Sequence, residues 1–193
     1  IESRDSSTGL HVKNTQNYVQ ILTKALRERG MYPDILDHNY ELNTVKASVL
    51  HDIGKIKTPD AILLKPGRLT DEEFEVMKQH TVAGCEIIDR IIGNVEHEEY
   101  VDIARKIARH HHERWDGTGY PDGLSGEEIP LCARIMALAD VFDALYQDRC
   151  YKKAIRPVSK VFEIIKENSG SQFDPNLTEI FLELQKEVTD ISE

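Results

Sequence analysis

The sequence predicts an all-α fold, a bundle of about seven helices forming one domain over residues 1–193, and three observations predict it. Apolar residues recur at helical spacing along nearly the whole chain, and no stretch sustains the alternation of a half-buried strand. Start and stop signals divide that pattern into segments of ordinary helix length. The first helix, about 10–29, carries Val12, Val19, Leu22, Ala25 and Leu26 and stops at Gly30, with Pro33 beyond. His11 falls in its first turn. A second helix, about 39–53, aligns Leu42, Val45, Val49 and Ile53 on one stripe and ends in His51-Asp52-Ile53-Gly54-Lys55. After a loop containing Pro59, Pro66 and Gly67, Thr70-Asp71-Glu72-Glu73 places a capping Thr three residues before a Glu. The helix it opens runs to about Ile92. Further helices are expected near 99–113, 129–147, 157–169 and 175–189. They are parted by a Gly/Pro/Asp-rich loop at 116–127, by Arg156-Pro157, and by the turn from Ser169-Gly170-Ser171 to Asp174-Pro175. Residues 1–6 read as a linker remnant from an upstream domain, and residues 186–193 as a C-terminal tail.

Composition narrows the classes of function. A chain of 193 residues can bury roughly 70% of its surface, so neither a metal nor a disulfide is needed simply to fold. Hydrophobic residues make up 40% and charged ones 30%, which excludes a disordered polyelectrolyte, and the apolar runs are too short for a membrane span. The formal charge of −10 disfavours duplex DNA and anionic membranes. A phosphate ligand would then need a local cationic site. Cys85, Cys132 and Cys150 are odd in number and far apart, which fits a reducing compartment, and no signal peptide opens the chain. A cytoplasmic location is expected.

The chemistry lies in histidines and aspartates on apolar faces. His80 follows Met77 by three residues and precedes Gly84 by four, so its imidazole points with the core. His111 and His112 stand three and four residues after Ala108. Asp140 and Asp143 interrupt the otherwise apolar run from Ile135 to Leu145, where a carboxylate is costly unless paired, hydrogen-bonded or bound to a cation. A single His on such a face is usually a satisfied core residue. Several helices aiming imidazoles and carboxylates inward together suggest a dinuclear site for Fe, Mn, Zn, Co or Ni. His112-Glu113 lacks the His three residues on that a zincin helix needs.

The ordered set His51-Asp-Ile-Gly-Lys55, Leu64-Lys-Pro-Gly67, His80, His111-His-Glu-Arg-Trp-Asp-Gly-Thr-Gly-Tyr-Pro121, Ile129-Pro130, Ala133-Arg134, Ala139-Asp-Val-Phe-Asp-Ala144 and Phe173-Asp-Pro175 resembles the HD-GYP family of the HD phosphohydrolase superfamily. The resemblance covers about residues 7–185 and implies a compact helical HD-domain bundle enclosing a dinuclear metal site. It implies one metal held by His11, His51, Asp52 and Asp140, and a second held by Asp52, His80, His111 and His112. Fe or Mn is expected, with Ni, Co and Zn as alternatives. The implied activity is hydrolysis of cyclic di-GMP to linear pGpG, and in some members onward to GMP.

The resemblance also assigns roles around the metals. Asp52 would bridge them, and Lys55 would hold a phosphate oxygen or assist the leaving group. Tyr120, in the Gly-Tyr-Pro loop, would meet a phosphate or guanine, or would rigidify the loop by packing. Arg149 and Lys152 resemble the family's phosphate-holding Arg-x-Tyr-Lys, since guanidinium matches phosphate bidentately; a helix C-terminal charge balance is the plainer reading. The same loop implies contact with a diguanylate cyclase (GGDEF) domain, and the family implies an upstream regulatory domain. Members with a third metal carry Glu four residues before the first-helix His. Ser7 stands there instead, so two metals are expected. Asp143 is expected to orient a ligand or cap a helix, and His110 to lie behind the ligands or face solvent. Competing readings are the same chemistry on 3′3′-cyclic GMP-AMP or pGpG, and a module that binds a cyclic dinucleotide or a cyclase without turnover.

Overall fold

The structure is a computed structural model and describes residues 8–92, 98–147 and 154–192. Among these there is no strand, and nine α-helices are present where about seven were expected. Helices α1 (Thr8–Glu28), α2 (His38–Ala47), α3 (Asp60–Leu63), α4 (Asp71–Ile92), α5 (Glu98–His110) and α6 (Leu131–Tyr146) form the larger part, followed by α7 (Val158–Glu167), α8 (Pro175–Glu183) and α9 (Gln185–Ser192). The two extra helices are the single turn α3 and a break at Leu184 that divides the expected last helix. The 186–193 stretch, expected as a tail, is helical over Gln185–Ser192 because Val188 is buried and Ile191 packs on the core.

Local signals act as expected at several ends. Gly30, at φ +67°, closes α1. The Glu73 carboxylate accepts from Thr70 N at 2.7 Å and Glu73 N donates to Thr70 Oγ1 at 3.3 Å, a reciprocal cap ahead of α4. The second helix differs from the expectation. It ends at Ala47 and gives way to two 3₁₀ turns, Ser48–Leu50 and Ile53–Lys57. Its inward face is Glu41, Thr44 and Ala47, while Leu42 and Val49 are exposed. Pairing of Glu41 with Arg27 of α1 makes burial of that carboxylate tolerable.

α6 is the centre of the bundle. It is buried on nearly every side, as an all-round apolar helix must be. Phe142 meets Tyr18 of α1, Phe162 of α7 and Phe181 of α8, at ring-centroid distances of 5.2, 5.1 and 5.3 Å. This cluster secures one half of α6, and α1 and α5 flank it. Arg134, on the same helix, donates to Asp174 at 2.7 Å in a pair almost wholly shielded from water. Asp174 also caps α8 by accepting from Asn176 N and Leu177 N. Trp115 N and Asp116 N bond the carbonyls of Gln172 and Ser171, so the turn before α8 also braces the loop after α5.

The Ile53–Lys57 turn lies directly on α4. A Cβ on Gly54 would stand 1.8 Å from the His80 carbonyl oxygen and 2.5 Å from Gly84 N, both backbone atoms that cannot swing aside. A Cβ on Gly84 would meet the Ala108 methyl at 3.3 Å, a contact a small shift relieves. Gly54→Ala is therefore expected to destabilise the protein by about 3 kcal/mol or more, and Gly84→Ala by about 1 kcal/mol or less, in urea unfolding. Equal midpoints for the two variants would show that the turn does not pack this tightly.

Candidate metal centre

The side chains singled out from the sequence come from five parts of the fold. His11 is in the first turn of α1, His51 and Asp52 lie between the two 3₁₀ turns, and His80 is on α4. His111 and His112 follow the last residue of α5, and Asp140 is on α6. The pair sits where the second helix gives way to the Ile53–Lys57 turn, which packs on α4 and so brings Asp52 toward His80.

Two groups of donor atoms result. Ligand atoms of Asp52, His80, His111 and His112 all lie within 4.8 Å of one another, as do those of His11, His51 and Asp140. Asp52 faces both. Its Oδ2 is 3.4 Å from His51 Nε2, and its Oδ1 is 3.4 Å from His80 Nε2 and 3.7 Å from His111 Nε2. Imidazole rings pack around it edge to face, with His11–His51 at 5.5 Å and His80–His112 at 5.1 Å.

Four of the five rings are aimed by their other nitrogen. His51 Nδ1 lies 2.8 Å from the Ser48 carbonyl, His80 Nδ1 2.7 Å from that of Met77, and His111 Nδ1 2.9 Å from that of Ile107. A carbonyl only accepts, so Nδ1 holds the hydrogen and the Nε2 lone pair points into the cavity. Those three Nε2 atoms and Asp52 Oδ1 are buried without a hydrogen-bond partner among the described residues. Buried polar atoms left so are rare and expensive. His11 is held by a carboxylate instead. Its Nδ1 donates to Asp143 Oδ2 at 2.6 Å, Asn14 donates to the other oxygen at 3.2 Å, and His11 Nε2 turns to Asp140 Oδ1 at 3.4 Å. Asp143 thus orients His11, one of its two expected roles.

Protonation follows from the surroundings. Burial presses His80 down to about 4 and His112 well below its ordinary value, so both are neutral with a lone pair available at neutral pH. Burial also opposes a charge on His11, but hydrogen bonds and attraction from Asp140 and Asp143 outweigh it and raise the group to about 9. For Asp52 the burial penalty is overcome by Lys55 and His51, and its carboxyl stays well below the usual range. Asp140 is lowered in the same sense, burial being outweighed by His11 and His51. Lys55 Nζ donates to Asp52 Oδ2 at 2.5 Å.

The loop after α5 forms one wall. Tyr120 stacks on His112 with ring centroids 4.9 Å apart and planes at 27°, and Tyr120 N donates to the His112 carbonyl at 3.2 Å. Gly119 has no room for a side chain, because a Cβ would meet Arg114 N at 2.3 Å and Glu113 Cα at 2.5 Å. Glu113 is the residue that sequence reasoning passed over. Its shielded carboxylate accepts from Asp122 N at 2.7 Å and Leu124 N at 3.1 Å, while Arg109 grips Asp122 through two 2.7 Å bonds. A carboxylate placed directly after two histidines that follow an apolar helical face was the available signal. His110, Glu113 and Asp122 form a third cluster of donor atoms, but both carboxylates are engaged by backbone N–H groups or Arg109, so this cluster works as a latch. Arg149, Lys152 and Ser7 lie outside the described residues.

Imidazole and carboxylate donors in two adjoining groups suit divalent Fe, Mn, Co, Ni or Zn. Comparisons with known proteins agree with that chemistry. The sequence matches the HD domain family over residues 10–177. It is 46% identical over 194 residues to a cyclic di-GMP phosphodiesterase of Vibrio cholerae, covering 99% of this chain and 39% of that protein. It is 37% identical over 183 residues to a 3′3′-cGAMP-specific phosphodiesterase of the same organism, covering 95% and 32%. The chain spans about two fifths of the length of the curated relatives it matches. In fold it is similar to an HDG"Y"P protein from Bdellovibrio bacteriovorus, with a TM-score of 0.62 and 17% identity over 89% of this chain and 51% of that one. With the family match running from α1 to α8, the chain belongs to the HD domain family.

Proposed function

We propose that this domain is a metal-dependent phosphodiesterase that opens cyclic di-GMP to linear pGpG. The main support is the set of unpartnered Nε2 atoms of His51, His80 and His111 around an Asp52 whose two oxygens face different donor groups. In this reading His11, His51, Asp52 and Asp140 hold one divalent cation, Asp52, His80, His111 and His112 hold the other, and Mn or Fe is the expected metal. Bound there, the cations would supply a water acidified toward neutral pH and positive charge for the phosphate oxygens of an in-line displacement. Asp52 joins the two groups, Asp140 adds one further carboxylate, and the other positions are imidazoles, which add no negative charge.

Lys55 sits against Asp52, and its proposed role is to hold a non-bridging oxygen or stabilise the leaving oxygen. Tyr120 presents a phenol kept protonated by burial and by the charges of Asp52 and Asp140, so it serves as a hydrogen-bond donor. Arg149 and Lys152 are proposed as phosphate ligands on the family resemblance. Contact of the Gly-Tyr-Pro loop with a GGDEF domain, an upstream regulatory domain and a cytoplasmic location belong to the same proposal. No described helix is long and apolar enough to cross a membrane.

Protein prepared anaerobically with Mn²⁺ or Fe²⁺ is expected to convert cyclic di-GMP to pGpG on product chromatography, with 3′3′-cyclic GMP-AMP run beside it. Chelation should abolish turnover and metal should restore it. Asp52→Asn, which keeps the size of the side chain, is expected to lower turnover by more than about 100-fold, since it strips a ligand shared by both cations. Wild-type turnover by that variant would refute the proposal.

Asp143→Asn makes a finer test. Loss of the charge behind His11 is expected to weaken Mn²⁺ binding by about 10- to 100-fold in titration calorimetry while the helical circular dichroism is retained. Unchanged affinity would mean that His11 is not a ligand.

A further inference from the structure

One exposed aromatic beside the cavity takes no part in the functions described above. Phe74, in the first turns of α4, is 44% exposed although it borders a well-packed wall. Its ring lies 6.0 Å from that of Tyr120 at 85°, and Tyr120 in turn stacks on His112. Two ring-to-ring contacts therefore lead from the donor cluster to the rim. Lys78, one helical turn after Phe74, holds its ammonium 5.4 Å from the Phe74 centroid and 5.7 Å from the Tyr120 centroid. It also pairs with the solvent-exposed Glu75 at 2.5 Å.

We infer that Phe74, Tyr120 and Lys78 form a subsite for one purine base of a cyclic dinucleotide, with Phe74 as the stacking platform and Lys78 reading the base edge. This rests on the proposed cyclic dinucleotide substrate and names the surface that would recognise it. Every base offers a π-face to an aromatic ring, and such stacking is tolerant of sequence. The ammonium adds selectivity. Lys has only donors, and guanine presents acceptors at O6 and N7, whereas adenine places an amino donor at the equivalent edge. The subsite therefore favours a 6-oxopurine.

The experiment measures dissociation constants by titration calorimetry on the Mn²⁺-loaded protein, with cyclic di-GMP, cyclic di-AMP and inorganic phosphate as probes. Phosphate reports the cations without a base. Phe74→Ala is expected to weaken cyclic di-GMP about 5- to 100-fold more than it weakens phosphate, and Phe74→Trp to restore most of the loss. Lys78→Met is expected to narrow the preference for cyclic di-GMP over cyclic di-AMP by about tenfold. A role in merely bracing the loop would move phosphate and cyclic di-GMP together, and that result overturns the inference. So does a wild-type protein that binds phosphate but neither dinucleotide. Base-dependent binding that responds to Phe74 without any turnover supports the subsite and counts against the phosphodiesterase reading alone.

Discussion

Three imidazoles, those of His51, His80 and His111, each give the Nδ1 hydrogen to a main-chain carbonyl of the preceding turn, and the character of the cavity depends on those bonds. They fix the tautomer, lock the ring plane and leave the Nε2 lone pair facing inward. Without them the same histidines could rotate to satisfy both nitrogens, and the interior would be an ordinary polar pocket. With them, three nitrogens and Asp52 Oδ1 stay buried and without a partner among the described residues, at about 1–3 kcal/mol each. A fold keeps such a burden at a functional site when the rest of the core can offset it. The aromatic cluster around Phe142, two residues from Asp140 on the same helix, is that counterweight.

Rigidity is carried outward from α6 by charged groups that water scarcely reaches. Arg134 lies between the rings of Tyr32 and Trp115 and meets Asp174, which also caps α8. Removing either partner would strand a buried charge, so the pair acts as a single joint. Through Trp115 and Asp116 it holds the loop that carries Tyr120, and Glu113 with Arg109 holds the other end of that loop. The Gly-Tyr-Pro loop is thus fastened at both ends before its tyrosine reaches His112. Its glycines are explained by contact as much as by conformational freedom, since at Gly119 the chain passes too close to Glu113 for any side chain.

The formal charge of −10 gave an unfavourable first impression of a phosphate-binding protein. The structure shows where part of that charge lies. Asp52, Asp140 and Asp143 are counted in it, yet they face His11, His51 and Lys55 in the interior and do not contribute to the outer field as free anions. Much of the remaining acidity is on exposed faces of helices such as the start of α4, where Glu73 is paired with Lys65. A small ligand entering the cavity meets the local groups, so net charge informs solubility and bulk partners more than it informs this site.

By itself the sequence determined the helical class, the Gly30 stop, the Thr70 cap and the inward placement of His80, His111, His112, Asp140 and Asp143, because helical periodicity and capping are local properties, whereas His11 and Asp52 were marked by the family resemblance. It did not determine the break of the second helix into 3₁₀ turns, the division of the last helix at Leu184, or the exposure of Leu42 and Val49. Those depend on what α1, α4 and α5 present to the same residues. Glu113 was legible as a residue type and illegible as an anchor, since its partners, Asp122 N and Leu124 N, reach it only when the loop folds back. The resemblance implied that Asp52 serves both groups and left Asp143 two roles; tertiary structure decided which Asp52 oxygen faces which group and that Asp143 stands behind His11, 132 residues away in the chain. The reason is physical: a side chain's type and its helical face are written in short-range spacing, whereas the direction of a lone pair is set by whichever distant group accepts its neighbour's hydrogen.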